Sequence, residues 1–149
     1  MNGDVVEFGG MAPDAPGLDL LAVLIGSEGM LGIVTEITVK LVPKPKLARV
    51  IMASFNDIEK GGNAVAAIIA AGIIPAGLEM MDRATTRAVE EFVHAGYDLD
   101  AEAILLCESD GTPEEVEEEI ARMNAVLEQQ GASRIQVSQN EVERLRFWS

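Results

Sequence analysis

The run Pro43-Lys44-Pro45-Lys46 divides the sequence into two textures, and this division limits the available folds more than any other feature. A Pro-x-Pro run favours extended, semi-rigid backbone and interrupts helices and central strands, so the two sides must be read separately. Before it, Gly and Pro recur between short β-type runs with no long helical period. After it, strand-like and helix-like stretches alternate to the end. The chain's 149 residues suffice for one ordinary domain, or for a small domain with part of another attached. The expected organisation is therefore 1–46 as part of one domain and 47–149 as most of a second.

In the second part, Ala48–Phe55 reads as a strand, followed by a helix capped by Asn56 or Asp57, running to about Ala71 and closed by Gly72. Gly77–Met81 is a strand, and Asp82 caps a helix over Arg83–Ala95 that Gly96 closes. Glu102–Glu108 is a third strand. The best-marked helix then has Thr112 at its cap, Pro113 at its first position, Glu115 completing a capping box and Gly131 at its end. Arg134–Val137 and a short helix from Asn140 finish the order. Such alternation suits a doubly wound parallel sheet, but parallel strands are buried on both faces and read as continuous apolar runs. Leu78-Glu79-Met80-Met81-Asp82 and Arg134-Ile135-Gln136-Val137 are mixed. The expectation is an α+β fold: a ferredoxin-like βαββαβ arrangement, with an antiparallel sheet, helices on one face and one extra helix inserted centrally.

In the first part, Asn2-Gly3 signals a hairpin turn and Val5–Phe8 a short strand ended by Gly9-Gly10. After a loop from Pro13 to Gly17, Leu18–Ile25 reads as a short apolar helix or turn, and Ile33–Val42 alternates like a strand. A hairpin turning at residue 2 lacks most of its first strand, and a helix from Asn140 has barely begun at Ser149. The chain is accordingly expected to be incomplete at both ends.

Hydrophobic residues make up 48%, enough for a core, while a net charge of −14 repels phosphate backbones and makes nucleic acid and anionic membranes poor partners. Apolar stretches stop well short of the roughly 20 residues a membrane span needs. The single Cys107, in Ile104-Leu105-Leu106-Cys107, suggests a buried reduced thiol, hence a reducing, cytoplasmic compartment or a membrane-peripheral position within it. His94 is the only histidine, so no histidine-based triad or two-histidine metal site can form within the chain. The acidic run Glu114, Glu115, Glu117, Glu118 and Glu119 suits the start of a solvated helix. Glu79 and Asp82 could pair for acid/base work, but capping by Asp82 is the simpler reading. Met52, Met80 and Met81 read as core filler. No residue is assigned as catalytic or as a metal ligand.

Gly26-Ser27-Glu28-Gly29-Met30-Leu31-Gly32-Ile33-Val34-Thr35-Glu36 is the most informative run. Its glycines let backbone approach a bulky ligand and present N–H groups, because no Cβ intrudes. It precedes a predicted strand, unlike the dinucleotide fingerprint, which follows one. Together with Pro16-Gly17-Leu18-Asp19-Leu20 and Lys40-Leu41-Val42-Pro43-Lys44-Pro45, it resembles the end of the flavin domain of the FAD-linked oxidases. That family holds the glycolate oxidase flavin subunits, D-lactate dehydrogenases and D-2-hydroxyglutarate dehydrogenases among the vanillyl-alcohol oxidase-type flavoproteins. Ile73–Asp82 and Phe92–Tyr97 resemble its substrate, or cap, domain.

The resemblance implies that 1–46 is the C-terminal part of an FAD-binding domain and 47–149 a partial cap domain. It implies FAD as cofactor of the parent enzyme, lying along Glu28, Gly29, Met30, Leu31, Gly32, Ile33 and Val34 and met largely by main-chain atoms. Met30 stands where the family usually has threonine, and Leu18 where Tyr is common. The implied parent reaction oxidises a small 2-hydroxyacid, glycolate or D-lactate in type, to the 2-oxoacid and passes electrons to an acceptor. The family's first flavin subdomain would precede Met1, and its motif His-x-Gly-Asp-Gly-Asn-x-His would follow Ser149. The chain alone is thus expected to be an inactive fragment. Further subunits or a homodimer would be its protein partners. A second reading makes 47–149 a non-catalytic ferredoxin-like module for ligand binding or dimerisation.

Overall fold

A computed structural model of the chain describes residues 3–10 and 17–149. The Asn2 side of the expected hairpin, Pro16 and all of the Pro13–Gly17 loop except Gly17 lie outside the described residues. The chain divides into two compact units, Met1–Val42 and Pro43–Ser149.

In the second unit, β1 (Leu47–Phe55), α2 (Ile58–Ala70), β2 (Gly77–Asp82), α3 (Arg83–Val93), β3 (Ala103–Gly111), α4 (Pro113–Gln129), β4 (Arg134–Val137) and α5 (Glu141–Trp148) follow in order; α1 (Leu20–Ile25) belongs to the first unit. The four strands form one antiparallel sheet in the order β2-β3-β1-β4. The register runs from Leu47 opposite Gly111 to Phe55 opposite Ala103 between the central strands, and from Gly77 opposite Glu108 to Asp82 opposite Ala103 at one edge. This strand order, with α2 and α4 as the crossovers and α3 inserted between β2 and β3, is the expected ferredoxin-like α+β arrangement.

Each helix starts where a short polar side chain accepts a hydrogen bond from a first-turn N–H that has no partner within the helix. Asp57 accepts from Glu59, Asp82 from Thr85, Thr112 from Glu115 and Asn140 from Glu143. At Thr112 the bond is reciprocal, since the Glu115 carboxylate accepts the Thr112 N–H at 2.9 Å. The expected helix to Ala95 ends instead at Val93, where His94 turns into the left-handed region at φ 52°. The Glu90 carboxylate accepts the N–H groups of Gly96 and Tyr97, which bends the chain so that Ala95 and Tyr97 are buried.

Alternation along the strands sends side chains to two cores. Ile51, Ala53, Phe55, Leu105 and Cys107 pack against Ala64 and Ile68 of α2 and Val116, Ile120, Met123 and Leu127 of α4. On the opposite face Val50, Met52, Ile104 and Leu106 are covered by Ala95, Tyr97, Ala101, Val89 and Val93 from α3 and its following loop, and by Phe147 and Trp148 of α5. The expectation of helices on one face holds for α2 and α4 and needs correction for the other side. A sheet whose two central strands carry apolar residues on both faces requires cover on both.

The first unit holds α1, capped by Asp19, whose Oδ1 accepts the Ala22 N–H at 3.0 Å, and no strand among its described residues. The expected strands Val5–Phe8 and Ile33–Val42 are both unpaired backbone. A strand exists only as part of a ladder, and no described segment of this unit offers one a partner. No described hydrophobic residue of the unit is buried. Across the described residues, no helix is long and apolar enough to cross a membrane.

Candidate functional site: a glycine-rich turn after the first helix

The informative run leaves α1 at Gly26 and immediately turns. The Ser27 N–H donates to Leu24 O at 3.1 Å, and the Met30 N–H to Ser27 O at 2.9 Å. The second bond closes a four-residue turn whose central residues, Glu28 and Gly29, both have positive φ, at 48° and 79°. Positive φ at both positions is the pattern of a type I′ turn; it costs Gly29 little, while at Glu28 it crowds Cβ against the backbone. Backbone held this way is the kind of local strain that clusters at binding sites.

A Cβ added at Gly26, Gly29 or Gly32 would meet nothing within 4 Å. Packing among the described residues therefore explains none of these glycines, and the space left over them suits a group that lies against main chain. No Lys or Arg occurs between Gly17 and Val39, so the run offers amide dipoles and not fixed positive charge. Met30, Leu31, Ile33 and Val34 are exposed, giving an apolar border on which a flat aromatic ring system could rest. The segment is thus suited to a large, partly apolar ligand recognised through backbone.

The remaining sequence candidates have local roles within the second unit. His94 is an exposed helix C-cap, and Asp82 serves α3 as its cap. The Thr85 N–H and hydroxyl hold the Asp82 carboxyl below its ordinary range. Within the acidic run, Glu115 closes the capping box and is lowered by its hydrogen bonds to Thr112, while Glu119 accepts the Ser109 hydroxyl at 2.7 Å. Among the described residues no group of three His, Cys, Asp or Glu side chains is placed to hold a metal ion. Cys107 is a free thiol that burial pushes up to about 12, which makes it a poor nucleophile. Met52 is in the second core with Met81 packed against it, whereas Met80, expected as core filler, is exposed beside Gly61 of α2 on the edge strand.

Sequence reasoning passed over Glu108, whose Oε2 accepts both the Arg144 guanidinium at 2.7 Å and the Trp148 indole N–H at 2.6 Å. The signal was available: a lone carboxylate directly after the apolar run Ala103–Cys107 on a strand has to find a partner.

Residues 44–149 match the family model described as FAD linked oxidases, C-terminal domain. The chain belongs to the FAD-linked oxidases. Along its whole length it is 56% identical to the glycolate oxidase subunit GlcD of Escherichia coli strain K12 and covers 30% of that protein. It is 42% identical over 143 residues to the subunit of the same name from Bacillus subtilis, again covering 30% of it and 95% of this chain. Over 148 residues it is 28% identical to the mitochondrial D-lactate dehydrogenase [cytochrome] of Arabidopsis thaliana, covering 99% of this chain and 26% of that one. The chain therefore spans about a third or less of the length of these FAD-linked oxidase relatives. A solved structure of an alkyldihydroxyacetonephosphate synthase aligns with a TM-score of 0.62 at 18% identity, over 88% of this chain and 28% of that one, a likeness of fold.

Proposed function

We propose that the chain is the part of an FAD-dependent 2-hydroxyacid oxidoreductase in which the tail of the flavin domain, 1–46, joins part of the substrate-binding cap domain, 47–149. The observation that carries this reading is the 56% identity, sustained over all 149 residues, to a protein named as a glycolate oxidase subunit. Bound FAD would supply the two-electron acceptor: a 2-hydroxyacid such as glycolate or D-lactate gives up a hydride equivalent from its hydroxyl-bearing carbon and a proton from its hydroxyl, leaving the 2-oxoacid.

This chain's contribution is binding and positioning. Bound FAD would lie along the positive-φ turn at Glu28 and Gly29 and the glycines 26, 29 and 32, where main-chain amides would meet it, and the exposed Met30, Leu31, Ile33 and Val34 would give it an apolar wall. This is supported by the turn geometry and by the absence of described neighbours over the glycines. Within the chain no side chain is assigned to proton transfer. The free, buried Cys107 supports a reducing cytoplasmic setting for the enzyme.

The test is a hybrid in which these 149 residues replace the matching segment of the Escherichia coli relative. The hybrid is expected to purify with flavin absorbance and to reduce an artificial electron acceptor when given glycolate or D-lactate. A folded hybrid that is colourless and indifferent to added FAD would overturn the cofactor assignment. A yellow hybrid that neither acid bleaches would overturn the substrate class alone.

A further inference from the structure

The second sheet face is closed by a short helix that is held at both ends, and the hold at its far end is a built polar seat. Gly77 and Glu108 stand directly opposite each other across β2 and β3, on the face that α5 covers. The Trp148 ring lies over Gly77 so closely that a Cβ there would meet its Cζ2 at 3.0 Å. From that position the indole N–H reaches the carboxylate of the facing Glu108 at 2.6 Å. Arg144, one turn earlier on α5, donates to the same Glu108 oxygen at 2.7 Å and is braced by Glu141. Both charged groups of the Glu108–Arg144 pair are largely withdrawn from solvent, with side-chain exposures of 16% and 19%. The sheet face at the Gly77–Glu108 pair is a socket: glycine clears the space, glutamate supplies the acceptor, and two residues of one helix fill it.

At its near end α5 follows Ser138, which exchanges bonds with Val50: the Val50 N–H donates to Ser138 Oγ at 3.0 Å, and the Ser138 N–H to Val50 O at 2.9 Å. Between these anchors the helix buries little. Phe147 is its one fully covered side chain, with its carbonyl accepting the Tyr97 hydroxyl at 2.6 Å, whereas Val142 and Leu145 face outward. The core on the other face is far larger, built from two long crossovers. Segments with few buried apolar contacts open at lower free energy than the core they cover.

We propose that α5 is a strap over the second sheet face, latched by the seat that Gly77 and Glu108 form for Trp148 and Arg144, and that it opens without unfolding the α2–α4 side. Opening loosens the cover over Val50, which stands opposite Glu108 on the sheet, while α3 and its following loop stay on the same face. Glu108 is the positioning residue of the latch.

Trp148 is the single tryptophan of the sequence, so its fluorescence reads the seat directly. In the full 149-residue chain, native-state hydrogen exchange should show the α5 amides about tenfold or more less protected than those of α4 and β1. Glu108→Ala should red-shift Trp148 emission, raise its quenching by iodide and abolish α5 protection while α4 and β1 stay protected. Glu108→Gln, which keeps an acceptor for the indole and loses the charge for Arg144, should fall between. Gly77→Ala should displace the indole with every charge in place. Unchanged Trp148 emission in Glu108→Ala, or loss of α4 protection together with α5, would overturn the proposal. So would a Glu108→Ala chain unable to fold, because the seat would then hold the domain and not a strap.

Discussion

Ile33–Val42 and β4 make an instructive pair. The first is ten residues in which Ile, Val and Leu recur among Thr35, Glu36, Thr38 and Lys40, a better strand by composition than the four residues Arg134-Ile135-Gln136-Val137. Yet β4 is a strand and Ile33–Val42 is not. The difference is a partner: β1 places Ile51 opposite Val137 and Ala53 opposite Ile135, whereas no described residue in Met1–Val42 forms a ladder. Strand propensity describes how well a residue suits a pleated, half-buried surface, and it does nothing until that surface exists. The same contrast runs through the two units. Pro43–Ser149 buries two cores, while among the described apolar residues of Met1–Val42 only Leu24 is half-buried and the others, including Ile33, Ile37 and Leu41, remain exposed.

The sharpest way to break this comparison is to remove an apolar side chain from each unit. Phe55→Ala empties a fully buried site and should cost about 3–5 kcal/mol in a urea unfolding experiment. Ile37→Ala, at a residue 74% exposed, should change stability by less than about 0.5 kcal/mol. Equal costs would mean that both units fold as one cooperative body.

Helix caps give a smaller contrast. Thr112→Ala removes half of a capping box on a helix that buries Val116, Ile120, Met123 and Leu127, and should cost about 1 kcal/mol by the same unfolding assay. Asp19→Ala removes the cap of α1, a six-residue helix with no buried residue, and should leave the unfolding midpoint where it was.

The least effect is expected at acid pH. Hydrogen bonds from Thr85 and Thr112 hold the Asp82 and Glu115 carboxyls below their ordinary values in the folded state. The native state thus binds fewer protons than the unfolded one, and the stability these groups add is complete above the ordinary carboxylate range. It is lost as pH falls through their folded values. Combining Asp82→Asn, which keeps a capping oxygen, with Glu115→Gln should make the acid decline in thermal midpoint shallower. A steeper decline would reverse the sign of the argument.

Much of the second unit was legible because its signals are local. Asp57, Asp82, Thr112 and Asn140 each stand where a short polar side chain can take up a free helical N–H, and the antiparallel choice followed from the mixed faces of β2 and β4. Those edge strands also misled: their half exposure suggested one bare sheet face, while the central strands β1 and β3 are covered on both sides. The second cover was hard to see because much of it is aperiodic. Ala95, Tyr97 and Ala101 come from a loop, and α3 buries only Thr86 outright. The glycine turn was legible as a run of residues, but its left-handed Glu28 was not, since nothing in a glutamate signals positive φ. Glu108 was legible as a carboxylate in need of a partner, but which partner it takes needed the strand register that puts Gly77 opposite it.

The central claim, which rests on the proposed function, is that Ile33–Val42 has the composition of a strand and lacks only a partner for its ladder. Hydrogen exchange by mass spectrometry over residues 33–42, measured on the 149-residue chain and on the Escherichia coli hybrid, tests it most directly. The account predicts exchange near the unstructured rate in the chain alone and strong protection in the hybrid, with β1 and β3 protected in both. Equal protection of 33–42 in the two proteins, or none in either, would contradict it.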